Sequence, residues 1–261
     1  MVPLIATPIS DLFDNPADAE RIIAASDCLE GRDKAVDALY PPQQVFHFDY
    51  QVIHPWIEDR LYYIQNVIEK RPDLKLLTFQ ASSSFYAPVL IDKMYQPGGK
   101  QYQAEEMLEF AEENLRWLKE ELSGSATIAV ENNNFYPTEA YHFITQPSFL
   151  KELVHSNDIG FLFDMAHARV TAHNKYISYE DYCNGLPLDR LEQIHISKHA
   201  VDENGMAYDA HEIITQDEFD EVNRLIREYD PNYLTIEYYR NTDELLNLLD
   251  NLKRSLHERL S

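Results

Sequence analysis

Short β-like apolar runs recur along the chain at 4–9, 21–28, 45–51, 74–81, 127–132, 159–165, 191–197 and 233–239. Segments with helical periodicity separate them. The second run, RIIAASDC, reads equally as a helix. Segment 56–71 sets Ile57, Leu61, Ile64 and Ile68 on one face at spacings of three and four. Segment 103–122 does the same with Leu108, Ala111, Leu115, Leu118 and Leu122, and turns its many glutamates outward.

Helix starts are legible as well. Thr215 with Glu218 three residues on forms a capping box ahead of the stripe Phe219, Val222 and Ile226. The last helix opens at Thr242, with Asp243 and Glu244 complementing its dipole and Leu245, Leu249, Leu252 and Leu256 as its stripe. Eight strand candidates alternating with helices predict an α/β chain, a (β/α)8 TIM barrel forming a single domain over residues 1–261. An open doubly wound sheet is the rival, but it normally carries a glycine-rich turn after its first strand. The chain has only 7 glycines and no GxG, so a dinucleotide fingerprint or phosphate loop is absent. No linker, repeat or low-complexity stretch divides the chain.

In such barrels the chemistry sits at the C-terminal strand ends. The third run ends with His47 and Asp49, the fourth with Gln80, the fifth with Glu131 and Asn132, and the sixth with Asp164. The seventh carries His195 and the eighth Glu237. Two following segments add donors. FDMAHARVTAHN supplies His167, His173 and Asn174, and YDAHE sets Asp209 and His211 on one side of an extended stretch.

His47, Glu131, Asp164, His167, His195, Asp209, His211 and Glu237 thus form a set of imidazoles and carboxylates larger than one metal ion needs. Oxygen and nitrogen donors without sulfur suit iron, with manganese or zinc as alternatives, and a set this size suits two or three ions. Each residue also has a plainer role open to it: Asp164 as a helix cap, Glu237 paired with Arg240, Asp209 in a loop turn. Convergence favours the metal, because carboxylates gathered in one barrel mouth are costly without cations. His142, His155 and His257 fall away from the strand ends, and His54 and His199 lie near the rim without a pattern that places them.

Charge and composition then narrow the partners. Asp and Glu number 45 against 22 Lys and Arg, a formal charge of −23 that argues against nucleic acid and anionic membranes. The 44% apolar content supports a large core. Two distant cysteines, Cys28 and Cys183, make neither a disulfide framework nor a thiolate site. No stretch is long and apolar enough for a membrane span, and a soluble, cytoplasmic protein is expected.

The segments FDMAHARVTAHN, LPLDRLEQIHIS, YDAHE and LTIEYYR, in that order, resemble the multinuclear non-haem iron-dependent oxidases, the family of the methanobactin-biosynthesis oxidase. The resemblance implies a TIM barrel holding two or three iron ions that activate dioxygen to modify a Cys, Asp or Asn of a ribosomally made precursor peptide. A separate partner protein would capture the leader peptide. The family's ligands match His47, Glu131, Asp164, His167, His195, Asp209, His211 and Glu237, with Glu131, His211 and Glu237 assigned to catalysis. Gln80, Asn132, His173 and Asn174 are assigned to substrate. One departure stands out: relatives commonly carry His where this chain has Gln80.

The alternative is a divalent-metal sugar isomerase or epimerase of the xylose-isomerase-like superfamily, in which Glu131 or Glu237 moves the proton. The Asp209 and His211 pair is surplus to that chemistry. A non-catalytic binding barrel is a third possibility.

Overall fold

The computed structural model describes residues 2–257. Its strands are β1 Leu4–Pro8, β2 Cys28–Arg32, β3 Gln43–Gln51, β4 Leu76–Gln80, β5 Val89–Ile91, β6 Met94–Gln96, β7 Thr127–Glu131, β8 Gly160–Asp164, β9 Leu191–Ile196, β10 Lys198–Val201, β11 Ala207–Glu212 and β12 Tyr233–Ile236. Eight of them close into a barrel in the order β1-β12-β9-β8-β7-β4-β3-β2, each pair parallel. The eight-stranded TIM barrel expected from the alternation is therefore the observed fold. Two antiparallel hairpins, β5-β6 and β10-β11, sit in the loops after β4 and β9.

The helices are α1 Pro16–Ala25, α2 Glu58–Glu69, α3 Ala104–Leu122, α4 Pro147–Ser156, α5 Met165–Asn174, α6 Tyr179–Gly185, α7 Gln216–Tyr229 and α8 Thr242–His257. Both α3 and α7 open with reciprocal capping boxes, Gln103 with Glu106 and Thr215 with Glu218. The stripe Leu245, Leu249, Leu252 and Leu256 of α8 is buried, as are Ala111, Leu115, Leu118 and Leu122 of α3. In α2 the buried positions are Ile64 and Val67, whereas Ile57 is the exposed cap residue outside the helix.

The second strand is a correction. Residues 21–25 belong to α1, which starts with Asn15 capping Ala17 N and Pro16 in its first turn, and which buries Ala19 and Ile22. The strand comes afterwards, at Cys28–Arg32. The shift matters because it brings Glu30 and Arg32 into the barrel.

Alternation along the strands fills the barrel in layers. At the bottom, Ala6, Cys28, Val45, Leu76, Ala129, Leu162 and Tyr233 form an apolar cluster distinct from the larger core between strands and helices. In the next layer up, seven of the eight strands turn a polar residue inward: Glu30, His47, Thr78, Glu131, Asp164, His195 and Thr235, all buried. Arg32, Asp49, Gln80 and Glu237 follow at the rim. The apolar plug closes the barrel floor, so the polar layer is reached only from the C-terminal mouth.

Candidate metal centre

The polar layer and the loops above it gather the eight predicted donors into one continuous cluster. His195 Nδ1 lies 3.2 Å from Glu131 Oε1, 3.8 Å from Asp164 Oδ2 and 3.5 Å from Glu237 Oε1. His47 Nε2 is 3.7 Å from Glu131 Oε2, and His167 Nδ1 is 3.7 Å from Glu131 Oε1. On the far side His167 Nε2 faces Asp209 Oδ2 at 3.6 Å, and His211 joins Asp209 at 3.0 Å to Glu237 at 3.7 Å.

Second contacts aim several of these groups. The hydroxyl of Thr78 meets His47 Nδ1 at 2.8 Å, which leaves Nε2 for Glu131. His167 Nδ1–H donates to the carbonyl of Asn132 at 2.9 Å, so that Nε2 turns to Asp209. Fixing one ring nitrogen in this way is how proteins present the other to a cation. Asp164 does cap α5, through Oδ1 accepting from His167 N at 2.7 Å, but its Oδ2 remains in the cluster.

His211 reaches the site by a distortion of β11. His199 pairs with Asp209 and Lys198 with Glu212, so Ala210 and His211 bulge out of the hairpin. His211 adopts φ 45°, a left-handed conformation that costs energy in a non-glycine residue and characteristically occurs at functional sites. The expected simple extended alternation is replaced by this bulge.

Electrostatics record the crowding of negative charge. Burial, reinforced by Glu237, Asp209 and Glu131 against the pull of His167, pushes Asp164 well above the usual carboxylate range. Burial lowers the proton affinity of His195, yet Glu237 and Glu30 outweigh it and raise the imidazole well above its ordinary value. His47 goes the other way, to about 4, through burial and the neighbouring Arg32.

Above the cluster lies a cavity of about 550 Å³. Arg32, His47, Glu131, His167, Asp209, His211, Glu237 and Tyr239 line its floor, and Phe13, Tyr40, Asp14 and Lys34 are among its wall residues. Gln80 also lines it.

Three residues assigned to substrate are spent elsewhere. Asn132 is fully buried and clamps the Asp164 peptide, accepting from its N–H and donating to its carbonyl, both at 2.9 Å. Asn174 bridges Phe135 and Ala207 through their backbones, and exposed His173 meets the Gly205 carbonyl at 2.9 Å. None of the three lines the cavity.

Other side chains resolve the alternatives left open by the sequence. Glu237 pairs with Arg32, not with Arg240, which donates to the Ala210 carbonyl. His54 is buried with Nε2 on the Ser83 carbonyl. His199 lies in the β10-β11 hairpin, His142 and His155 are exposed, and His257 ends α8. Sequence reading missed Glu30, Arg32 and Tyr239. The helix start at Asn15–Pro16 was the signal that would have moved the strand onto the first two.

Residues 102–257, more than half the chain, match the family model for the RiPP precursor modification enzymes MbnB/TglH/ChrH. The chain belongs to this family. The matched region runs from the start of α3 through the donors Glu131, Asp164, His167, His195, Asp209, His211 and Glu237. A UPF0276 protein of Caulobacter sp. (strain K31) is 35% identical over 81 residues, 31% of this chain and 29% of that protein. Another, from Paraburkholderia phytofirmans (strain DSM 17436 / LMG 22146 / PsJN), is 30% identical over 94 residues, 34% of this chain and 31% of that protein. The chain thus spans under a third of the length of either curated relative in these matches. Among solved structures, a 3-keto-D-glucoside 4-epimerase from E. coli superposes with TM-score 0.59 at 16% identity, covering 98% of this chain and 99% of that one. A D-tagatose 3-epimerase-like protein gives 0.60 at 17%, with the same coverage. These likenesses show the same eight-stranded barrel fold.

Proposed function

We propose that the chain is an iron- and dioxygen-dependent oxidase that modifies a side chain of a ribosomally made precursor peptide. The observation that carries this reading is the donor cluster itself. Among its buried atoms, Glu131 Oε2, Asp164 Oδ2, His195 Nδ1 and His211 Nδ1 have no hydrogen-bond partner, which is costly unless a cation takes them up. The donors therefore fit a multinuclear metal centre.

Glu131, Asp164 and His195 would hold one ion, and Asp209, His211 and Glu237 another, since each group brings its ligand atoms within 4.8 Å of one another. His47 and His167 flank the first group. Bound iron would supply the one-electron and oxygen chemistry that side chains lack.

The chain's own residues do the rest. Thr78 and the Asn132 carbonyl orient His47 and His167, and Ser197 donates to Asp209 Oδ1 at 3.2 Å. Tyr239 donates to Glu237 Oε1 at 3.1 Å, which keeps that carboxylate turned inward. The cavity is large enough for one side chain and its flanking backbone, so the peptide would enter from the mouth, with Gln80 on its wall. A leader-binding partner protein would deliver the peptide.

The test loads the protein anaerobically with Fe(II), counts iron per chain, and then admits oxygen with candidate precursor peptides that carry Cys, Asp or Asn. Two or more irons, oxygen uptake and a mass change in the peptide are expected. A protein that keeps zinc alone, ignores oxygen and interconverts ketoses with Mn(II) would sink the oxidase reading in favour of the sugar enzyme.

A further inference from the structure

β2 points Glu30 and Arg32 into the barrel, two residues apart on one face. Glu30 lies deepest. Its Oε2 accepts from Gln193 at 2.6 Å and Thr235 at 2.9 Å, and His195 Nε2 lies 3.3 Å away. Its Oε1 pairs with the Arg32 guanidinium. The same Nη2 of Arg32 reaches Glu237 Oε1, so one cation joins two buried carboxylates across the mouth.

By donor position alone, Glu30, His195 and Glu237 would make a third metal group, one of three among the described residues. Among the described residues, the Glu131–Asp164–His195 group has no arginine or lysine paired to it, and the Asp209–His211–Glu237 group meets Arg32 only through the shared Glu237, whereas here both carboxylates are paired to Arg32. A guanidinium is positive at every working pH and cannot step aside by losing a proton. A divalent ion at this place would have to break both ion pairs and sit beside a fixed positive charge where water screens it poorly.

The two shared residues show the same division of labour. His195 gives Nε2 to Glu30 and turns Nδ1 to Glu131, while Glu237 gives Oε1 to Arg32 and Tyr239 and turns Oε2 to His211. Each has one atom for the Arg32 side and one for a neighbouring metal group.

We infer that Arg32 fills a third cation position with a guanidinium, so that this barrel takes two divalent ions and no more. The inference rests on the metal reading above. It also assigns Arg32 a positioning role, since the ion pair with Glu237 fixes how that carboxylate is presented to the His211 side.

Equilibrium dialysis against Mn(II) alone, carried to millimolar concentration, with manganese counted per chain, tests this on the purified wild-type protein and on R32M. Circular dichroism checks that the variant is folded. Two ions are expected in the wild type and three in R32M, because Glu30 and Glu237 lose their organic counter-ion. A wild-type count of three, or an unchanged count in folded R32M, overturns the role of Arg32 while leaving the metal centre standing. A wild-type count below two overturns the two-site reading and the inference with it. If R32M does not fold, the wild-type count at millimolar Mn(II) decides, because a third ion there is incompatible with Arg32 occupying the position.

Discussion

Single residues in this barrel do different work according to what faces them, and its histidines illustrate the range. His47 and His167 are each held by one hydrogen bond that leaves the second ring nitrogen facing a carboxylate. His54 is equally buried but faces a backbone carbonyl and two tyrosine rings, with no carboxylate in contact. Burial therefore pushes it down from 6.5 to about 4. Between these values the unfolded chain binds the proton and the folded one does not, so stability is full above about pH 6.5 and is lost as pH falls toward 4. A difference of this size corresponds to about 3 kcal/mol. Urea unfolding of wild type and His54→Phe between pH 7.5 and 4.5 measures it. The variant should be less stable at pH 7.5, having lost the bond to Ser83, yet its stability should fall less steeply with acid. Parallel slopes would show that His54 does not carry this part of the acid sensitivity.

At the scale of elements, the β2 strand decides more than its five residues suggest. Gly31 separates Glu30 from Arg32, and a Cβ there would meet the Phe46 ring at 2.5 Å and Gln43 Oε1 at 3.2 Å. Phe46 cannot retreat easily, because it is fully buried, packs on Phe48 at 4.5 Å and carries Arg71 over its face at 4.6 Å. Gly31→Ala should thus cost roughly 1–3 kcal/mol by overpacking, read as a lower urea midpoint with an unchanged slope. A midpoint equal to wild type would show that the β2–β3 contact yields freely.

The same strand explains what the sequence did and did not disclose. Strands that end in His or a carboxylate after a continuous apolar run, such as LFD on β8 and QIHI on β9, are legible because their burial is written in the residues. CLEGR carries one large apolar residue and two charges, and it pairs only through its neighbours β1 and β3, so its pattern was outweighed by the apolar RIIAAS of the preceding helix. Asn132 and Asn174 depend on tertiary contact in the same way: their type suits a ligand, and only the folded chain shows the backbone groups that their amides meet. The bulge that aims His211 is likewise a property of the β10-β11 pairing and has no sequence mark.

For the whole molecule, the formal charge of −23 divides into two populations with different physics. Many acidic side chains lie on exposed helix faces, where their mutual repulsion is weakened by ordinary salt within a Debye length of about 10 Å at 0.1 M. Glu131, Asp164 and Glu237 are buried in the barrel mouth, with Asp209 half-buried beside them, where mobile ions screen far less. Arg32 offsets only the Glu30 and Glu237 side.

Chelation should therefore destabilise the protein in a way that sodium chloride does not repair. With each site bound at a free metal concentration a hundred times its dissociation constant, binding adds about 2.7 kcal/mol per ion to stability. Thermal unfolding of EDTA-stripped protein, alone, with Mn(II), and with sodium chloride at matched ionic strength, separates the two populations. Mn(II) should raise the midpoint well beyond the salt control, and Asp164→Asn, which removes a carboxylate ligand from the buried group, should shrink that rise. Equal recovery with sodium chloride would place the repulsion on the surface and leave the mouth without a measurable demand for a divalent ion.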